Sequence, residues 1–189
     1  MLIGILSLQG DYRAHTNCFR ELDTPTREVK KPQDLDGLNG LVIPGGESTT
    51  LIKLMDSSGL WSAIRDFGDG GGALFGTCAG MIILADEVNN PPQRSMHLID
   101  ITVERNGYGR QIESEEVEGC FSLSKENPEM KMIFIRAPRI LSRGPEVKAL
   151  ATSRGEVVLV RQNNVLVASF HPELTSDYRV HDYFVQMVR

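Results

Sequence analysis

The chain is poor in the features that announce a metal centre, a disulfide scaffold, a nucleic-acid surface or a membrane span. Its three cysteines, Cys18, Cys78 and Cys120, lie far apart. An odd, scattered set is neither a disulfide framework nor a zinc pattern. The four histidines, His15, His97, His171 and His181, show no HExxH or comparable ligand spacing, so no metal is expected. No basic run stands out, the net charge is −5 and the pI is near 5.4, which argues against a nucleic-acid partner. The uncharged, largely apolar stretch Ala73 to Ala85 is too short to cross a bilayer and contains glycines and threonine. The opening Met1-Leu2-Ile3-Gly4-Ile5 lacks the basic flank of a signal peptide and reads as a first core strand, so a cytoplasmic location is expected.

What is present suits a folded α/β protein. Hydrophobic residues make up 41% and charged residues 24%, the balance of a globular chain with a real core. Strands are expected at Leu2–Leu8, Arg27–Lys30, Leu41–Ile43 and Ala73–Phe75. Helical spacing covers Arg13 to Leu22, a stretch capped by Ser48 or Thr49 through Met55, Ser58–Phe67, and Cys78 to about Glu87. Such alternation predicts a mostly parallel sheet with helices on both faces. Asn89-Asn90-Pro91-Pro92 breaks the rhythm. Strands then dominate, at Ile99–Glu104, Met132–Arg136, Val147–Thr152, Val157–Arg161 and Val165–Phe170, with Asn163-Asn164 as a hairpin turn and Tyr178 to Val188 as a closing helix. Without internal repeats or a linker, residues 1–189 read as a single α/β domain.

Gly76-Thr77-Cys78-Ala79-Gly80 lies between a buried strand and an apolar helix, the sulfur version of the G-x-S-x-G nucleophile elbow. Such a turn strains the nucleophile's backbone and needs small residues on both sides. It leaves the sulfur at a helix N-terminus, where N–H groups and the dipole favour a thiolate, and it aims the Ala79 amide at a developing oxyanion. Cys18 and Cys120 lack this context and read as structural cysteines. A thiol nucleophile needs an imidazole, and the imidazole a carboxylate. Ser169-Phe170-His171-Pro172-Glu173 follows the last strand; in extended backbone His171 and Glu173 share a face, with Pro172 restricting the chain between them. Pro44-Gly45-Gly46-Glu47-Ser48-Thr49-Thr50 joins a strand to a helix and suits either a second oxyanion donor or an anion site, but lacks the Walker spacing. Gln9-Gly10, Gly45-Gly46 and Cys78 all fall at carboxyl ends of expected strands, where open α/β sheets form their crevice. Arg105 and Arg136 each suit a substrate carboxylate.

Six blocks carry a resemblance: Leu8-Gln9-Gly10-Asp11, Pro44 to Thr50, Gly76 to Gly80, Asp100 to Asn106, Phe134-Ile135-Arg136-Ala137-Pro138, and Ser169 to Thr175. In order and content they are similar to those of the glutaminase subunit of pyridoxal 5′-phosphate synthase, within the class I, triad-type glutamine amidotransferases. The resemblance spans nearly the whole chain. It implies a three-layer, flavodoxin-like α/β fold with a mostly parallel central sheet and Cys78, His171 and Glu173 as the triad. It also implies that Gly45, Gly46, Glu47, Arg105, Ile135 and Arg136 bind L-glutamine, with Gly46 and Ala79 at the oxyanion and Gln9 near that region and the partner interface. The implied partner is a (β/α)₈-barrel synthase subunit in a large hetero-oligomer, and no cofactor is implied. Ala14 departs from the family's usual acidic residue, and His97 from its usual glycine. Two other readings stay open: a class I glutaminase feeding a histidine- or nucleotide-pathway synthase, and a noncatalytic α/β protein using the elbow cysteine as a redox sensor.

Overall fold

A computed structural model describes residues 1–107, 114–124 and 126–189. Strands β1 (Ile3–Leu6), β2 (Thr26–Val29), β3 (Gly40–Ile43), β4 (Ala73–Thr77) and β12 (Val165–Ala168) form the parallel part of a nine-stranded sheet. Their spatial order is β2-β1-β3-β4-β12. Beyond β12 the sheet continues antiparallel through β11 (Glu156–Gln162), β10 (Lys148–Ser153), β7 (Glu115–Phe121) and β8 (Glu129–Phe134). The expected parallel sheet is therefore the half that carries the crevice, and an antiparallel extension makes the whole sheet mixed. A smaller sheet joins β5 (Ala85–Asn89), β6 (Ile99–Glu104) and β9 (Arg139–Arg143).

The parallel strands are apolar on both faces, and alternate residues feed two cores. Leu41, Ile43, Leu74, Val165 and Val167 face one side, where α2 (Ser48–Ser58), α3 (Leu60–Asp69) and α4 (Ala79–Leu84) cover them. Ile3, Ile5, Val42, Phe75 and Leu166 face the other, under α1 (Tyr12–Glu21) and α5 (Arg179–Met187). The result is three layers, helices–sheet–helices. Each fully buried Ile, Leu or Phe contributes on the order of 2 kcal/mol of apolar burial. Among the described residues, no helix is long and apolar enough to cross a membrane.

Four expectations need correction. The helix beginning at the elbow stops at Leu84, and Ala85–Asn89 is a strand paired with β6. Its Ala-Asp-Glu-Val run continues a helical pattern locally, but a ladder partner decides the matter. The cap of α2 is Glu47, whose carboxylate accepts from the Thr49 and Thr50 amides, in place of Ser48 or Thr49. Strands β7 and β9 were not expected. The exposed face of β7 carries Glu116, Glu118 and Cys120, and most of β9 is exposed, so neither presents an apolar run. Finally, Pro172–Leu174 is a 3₁₀ turn rather than extended chain.

Helix α5 is held by Phe184, fully buried against Phe75 (ring centroids 5.5 Å apart) and Phe19 (6.3 Å). Phe184→Ala is expected to destabilise the fold by about 3–5 kcal/mol, measured by urea unfolding. A loss below about 1 kcal/mol would contradict this packing of α5.

Candidate active site

Cys78 is the hinge between β4 and α4, and its backbone adopts φ 49° and ψ −101°, a region that a non-glycine residue occupies only under strain. Its amide donates to the Ala168 carbonyl (2.8 Å), and its carbonyl accepts from Ile82 (3.2 Å), so sheet and helix hold the strained residue from both sides. The flanking glycines are required by contact. A methyl group on Gly80 would overlap the Ile43 carbonyl oxygen, and one on Gly76 would lie 2.6 Å from the Gly80 backbone. The sulfur is nearly buried and lies 3.8 Å from the Ile135 carbonyl.

The chain leaving β12 brings His171 to this cysteine. The His171 amide donates to the Ile133 carbonyl at 2.8 Å, which ties the segment to β8. The 3₁₀ turn then folds Glu173 back so that its Oε1 accepts from His171 Nδ1 at 2.8 Å, leaving the other ring nitrogen for Cys78. His171 and Glu173 are thus brought together as expected, by a turn where an extended segment was anticipated. Gly45 packs beneath the imidazole: a side chain there would strike His171 Cε1 and lie 3.4 Å from Cys78 Cβ.

Burial opposes charge on His171, but the hydrogen bonds with Cys78 and Glu173 outweigh it and raise its pKa to about 10. Burial likewise opposes charge on Glu173, but the facing His15 and the His171 hydrogen bond lower its pKa to about 2. A thiol at a helix start, an imidazole beside it and a carboxylate fixing the imidazole's tautomer can form a thiolate and move a proton to a leaving group.

These groups open into a cleft of about 340 Å³. Gln9, Gly46, Glu47, Arg105, Ile135 and Arg136 all line it, as the sequence suggested, together with Cys78 and His171. Gly45, Ala79 and Glu173 lie behind that wall. The Glu47 carboxylate is occupied by the α2 cap, with Arg105 Nη2 3.5 Å away; burial raises its pKa, but the hydrogen bonds from Thr49 and Thr50 lower it to about 2. Gln9, with its amide oriented to match its neighbours, bonds both the N–H (3.0 Å) and the carbonyl (3.2 Å) of Glu47. Arg136 has φ 42°, which sets its direction at the rim.

Other residues at the site escaped sequence reasoning. Asp11, Ser48, Ile82 and Asn106 also line the cleft. His15 and His181 lie fully buried behind it, and Thr77 joins them. Both histidines occupy inward positions of amphipathic helices, a signal that marks core rather than chemistry. Asp11, His171 and Glu173 hold possible donor atoms within 4.8 Å of one another, but His171 Nδ1 is committed to Glu173 and we assign no metal there. Of the two departures, Ala14 is half-buried on α1, its amide donating to the Asp11 carbonyl at 3.0 Å. His97 has φ 57°, the reason a glycine suits that position, and pairs with Asp86 at 3.1 Å.

Two outcomes test this geometry. Gly80→Ala should destabilise the fold by roughly 1–3 kcal/mol in urea unfolding, and a neutral result would contradict the close approach of α4 to β3. The second concerns pH. Glu173, held at about 2 against an ordinary 4.5, stabilises the fold above pH 4.5 and loses that contribution as pH falls through 2. Burial lowers the pKa of both His15 and His181, so the fold also weakens as pH drops below 6.5. His171, raised from 6.5 to about 10, stabilises below 6.5 and loses its contribution as pH rises towards 10. Unfolding free energy should therefore peak near pH 6.5, and His171→Gln should flatten the fall between 6.5 and 9. An unchanged alkaline slope in that variant would remove the His171 ion pair from the account.

Comparison with known proteins agrees with this architecture. The chain is 49% identical over 189 residues to a protein of Thermosipho africanus named pyridoxal 5′-phosphate synthase subunit PdxT, covering all of both chains. It is 50% identical to a protein of the same name from Koribacter versatilis, covering 100% of this chain and 96% of the other. A solved structure described as a glutamine amidotransferase superposes with a TM-score of 0.91 at 42% identity, covering 98% of each chain. A putative GMP synthase component from Thermoplasma acidophilum shares the fold alone, with a TM-score of 0.71 at 16% identity, 100% of this chain and 94% of the other being covered. The model of the SNO glutamine amidotransferase family matches residues 5–189, and with the elbow, imidazole and carboxylate assembled at one cleft, the chain belongs to that family.

Proposed function

We propose that this chain is the glutaminase subunit of a pyridoxal 5′-phosphate synthase, hydrolysing the side-chain amide of L-glutamine to glutamate and ammonia. The observation that carries the reading is the strained Cys78 facing an imidazole that is itself bonded to a buried carboxylate, at the floor of a cleft with Arg105 and Arg136 on its walls. The names of the full-length relatives supply the pathway.

In this mechanism the Cys78 thiolate attacks the carboxamide carbon, and the carbonyl electrons move to oxygen. Amides of the Gly46 loop and Ala79 stabilise that oxyanion, a contribution of about 3 kcal/mol per donor in comparable sites. His171 gives its proton to the departing nitrogen, leaving a γ-glutamyl thioester and ammonia. Water that loses a proton to His171 then attacks the thioester carbon, releasing glutamate and restoring the thiol. Glu173 keeps the imidazole oriented and stabilises its charged form. Gly45, Gly46, Glu47, Arg105, Ile135 and Arg136 form the glutamine site, with a guanidinium suited to the α-carboxylate. Gln9 braces the Glu47 peptide beside the oxyanion region. Ammonia passes to a (β/α)₈-barrel synthase subunit docked over the cleft, in a cytoplasmic hetero-oligomer.

Glutamate release, measured for the chain alone and with a matched barrel synthase subunit, is expected to rise markedly on mixing. Cys78→Ala should reduce it by at least about 10³-fold with the fold intact by circular dichroism. Full activity in that variant would sink the assignment, and equal activity with and without the barrel subunit would remove the partner.

A further inference from the structure

Glu173 Oε1 is taken by His171, but its other oxygen, Oε2, is buried and has no hydrogen bond of good geometry among the described residues. The group that faces it is His15 Nε2, at 3.5 Å. The same nitrogen lies 3.2 Å from Thr77 Oγ1, which also accepts from the Gly45 amide at 3.1 Å. On its far side, His15 Nδ1 meets His181 Nε2 at 3.0 Å, and His181 Nδ1 is buried without a partner. Behind the cleft there is thus a row of two imidazoles, with an unsatisfied carboxylate oxygen at one end and an unsatisfied ring nitrogen at the other.

Of the two arrangements in which neutral rings are joined by a hydrogen bond, only one turns a donor towards the carboxylate. Each ring is fully buried, and burial by itself favours the neutral form of both, with one N–H apiece. Suppose the His15 proton sat on Nδ1 and pointed at His181. His181 would then carry its own proton on Nδ1, an orphaned buried N–H, and His15 would present a lone pair to the Glu173 carboxylate. Both features are costly. In the reverse arrangement His181 Nε2–H donates to His15 Nδ1, and His15 Nε2–H faces Thr77 Oγ1 and Glu173 Oε2. What is left over is a bare lone pair at His181 Nδ1 and the Thr77 hydroxyl proton, and no lone pair faces the carboxylate.

We infer that His15 is a positioning residue for the proposed triad: it directs an N–H at Glu173 Oε2 and, through Thr77, at the Gly45 loop, while His181 fixes which nitrogen carries the proton. The carboxylate is then gripped from both sides, His171 on Oε1 and His15 on Oε2, and cannot rotate away from the imidazole it orients. Thr77 extends the same hold to the peptide that packs under His171. The role rests on the glutaminase reading for its effect on turnover, but the proton arrangement does not.

The titratable groups facing Glu173 are His171 on its own segment, Asp11 at the N-cap of α1, His15 and Cys18 within α1, Cys78 at the end of β4, and His181 from α5. Loss of His15 removes one of the causes that hold the Glu173 pKa down, so the carboxylate protonates at higher pH. With the synthase subunit bound, His15→Leu is expected to lower kcat about tenfold or more with a much smaller change in KM for glutamine. The acid limb of its kcat/KM profile should move to higher pH. His15→Gln, whose amide offers a donor at the Nε2 position, should restore a large part of the loss. Unchanged kcat and acid limb in a folded His15→Leu, or equal losses in both variants with no movement of the acid limb, would overturn the positioning role.

A measurement without glutamine keeps the two readings separable. Nitrogen-15 NMR of the histidine rings in the intact chain at neutral pH should show His15 and His181 each protonated at Nε2 alone. A proton on Nδ1 of either ring, or a doubly protonated His15, would overturn the inference even in a fully active enzyme.

Discussion

Burying a carboxylate costs several kcal/mol unless donors face it, and Glu173 is buried to 5% exposure. The surroundings of the cleft follow from what that charge requires. One oxygen is held by His171, and this bond selects the imidazole tautomer that leaves the other nitrogen for Cys78. The second oxygen is turned towards α1, whose His15 is in turn backed by α5. Helices on one side of the sheet are therefore tied to Cys78, whose own helix packs on the other. The sheet makes this possible, because β4 and β12 run parallel and adjacent, so that Thr77, Cys78 and the chain leaving Ala168 emerge at one edge.

The strain at Cys78 has the same logic. A backbone at φ 49° is unfavourable by about 1–3 kcal/mol, and it persists only because the surrounding structure over-determines it. The Ala168 carbonyl, the first turn of α4 and the two bare glycines supply that constraint. Relaxing the turn would move the sulfur out of line with His171. The position of the Cys78 sulfur is thus specified by backbone packing around the turn.

Much of this was legible in the chain. The elbow, the Gly45-Gly46 loop and the His171-Pro172-Glu173 string are short-range patterns, and each falls where a buried parallel strand ends. The apolar runs of β1, β3, β4 and β12 announced the crevice-bearing half of the sheet. Strands β7 and β9 were invisible because their identity depends on ladder partners, and their exposed faces carry charge. Glu47 was obscured as a cap because Ser48 and Thr49 beside it are commoner capping residues. His15 and His181 were hidden for a different reason. They come from opposite ends of the sequence and meet only in the folded chain, so no local spacing joins them to Glu173. The bond between His171 and Glu173 forms through a 3₁₀ turn and not through the extended segment anticipated from the sequence.

The central claim is that Cys78, alone among the three cysteines, is the nucleophile that receives the glutamyl group. An electrophilic chloroketone analogue of glutamine, added to the complex of the chain with its synthase partner and followed by peptide mass spectrometry, tests it directly. The account predicts one label per chain, on the peptide bearing Cys78, formed in step with loss of glutaminase activity and slowed by excess glutamine. Inactivation with Cys78 unmodified, or with the label on Cys18 or Cys120, would contradict it.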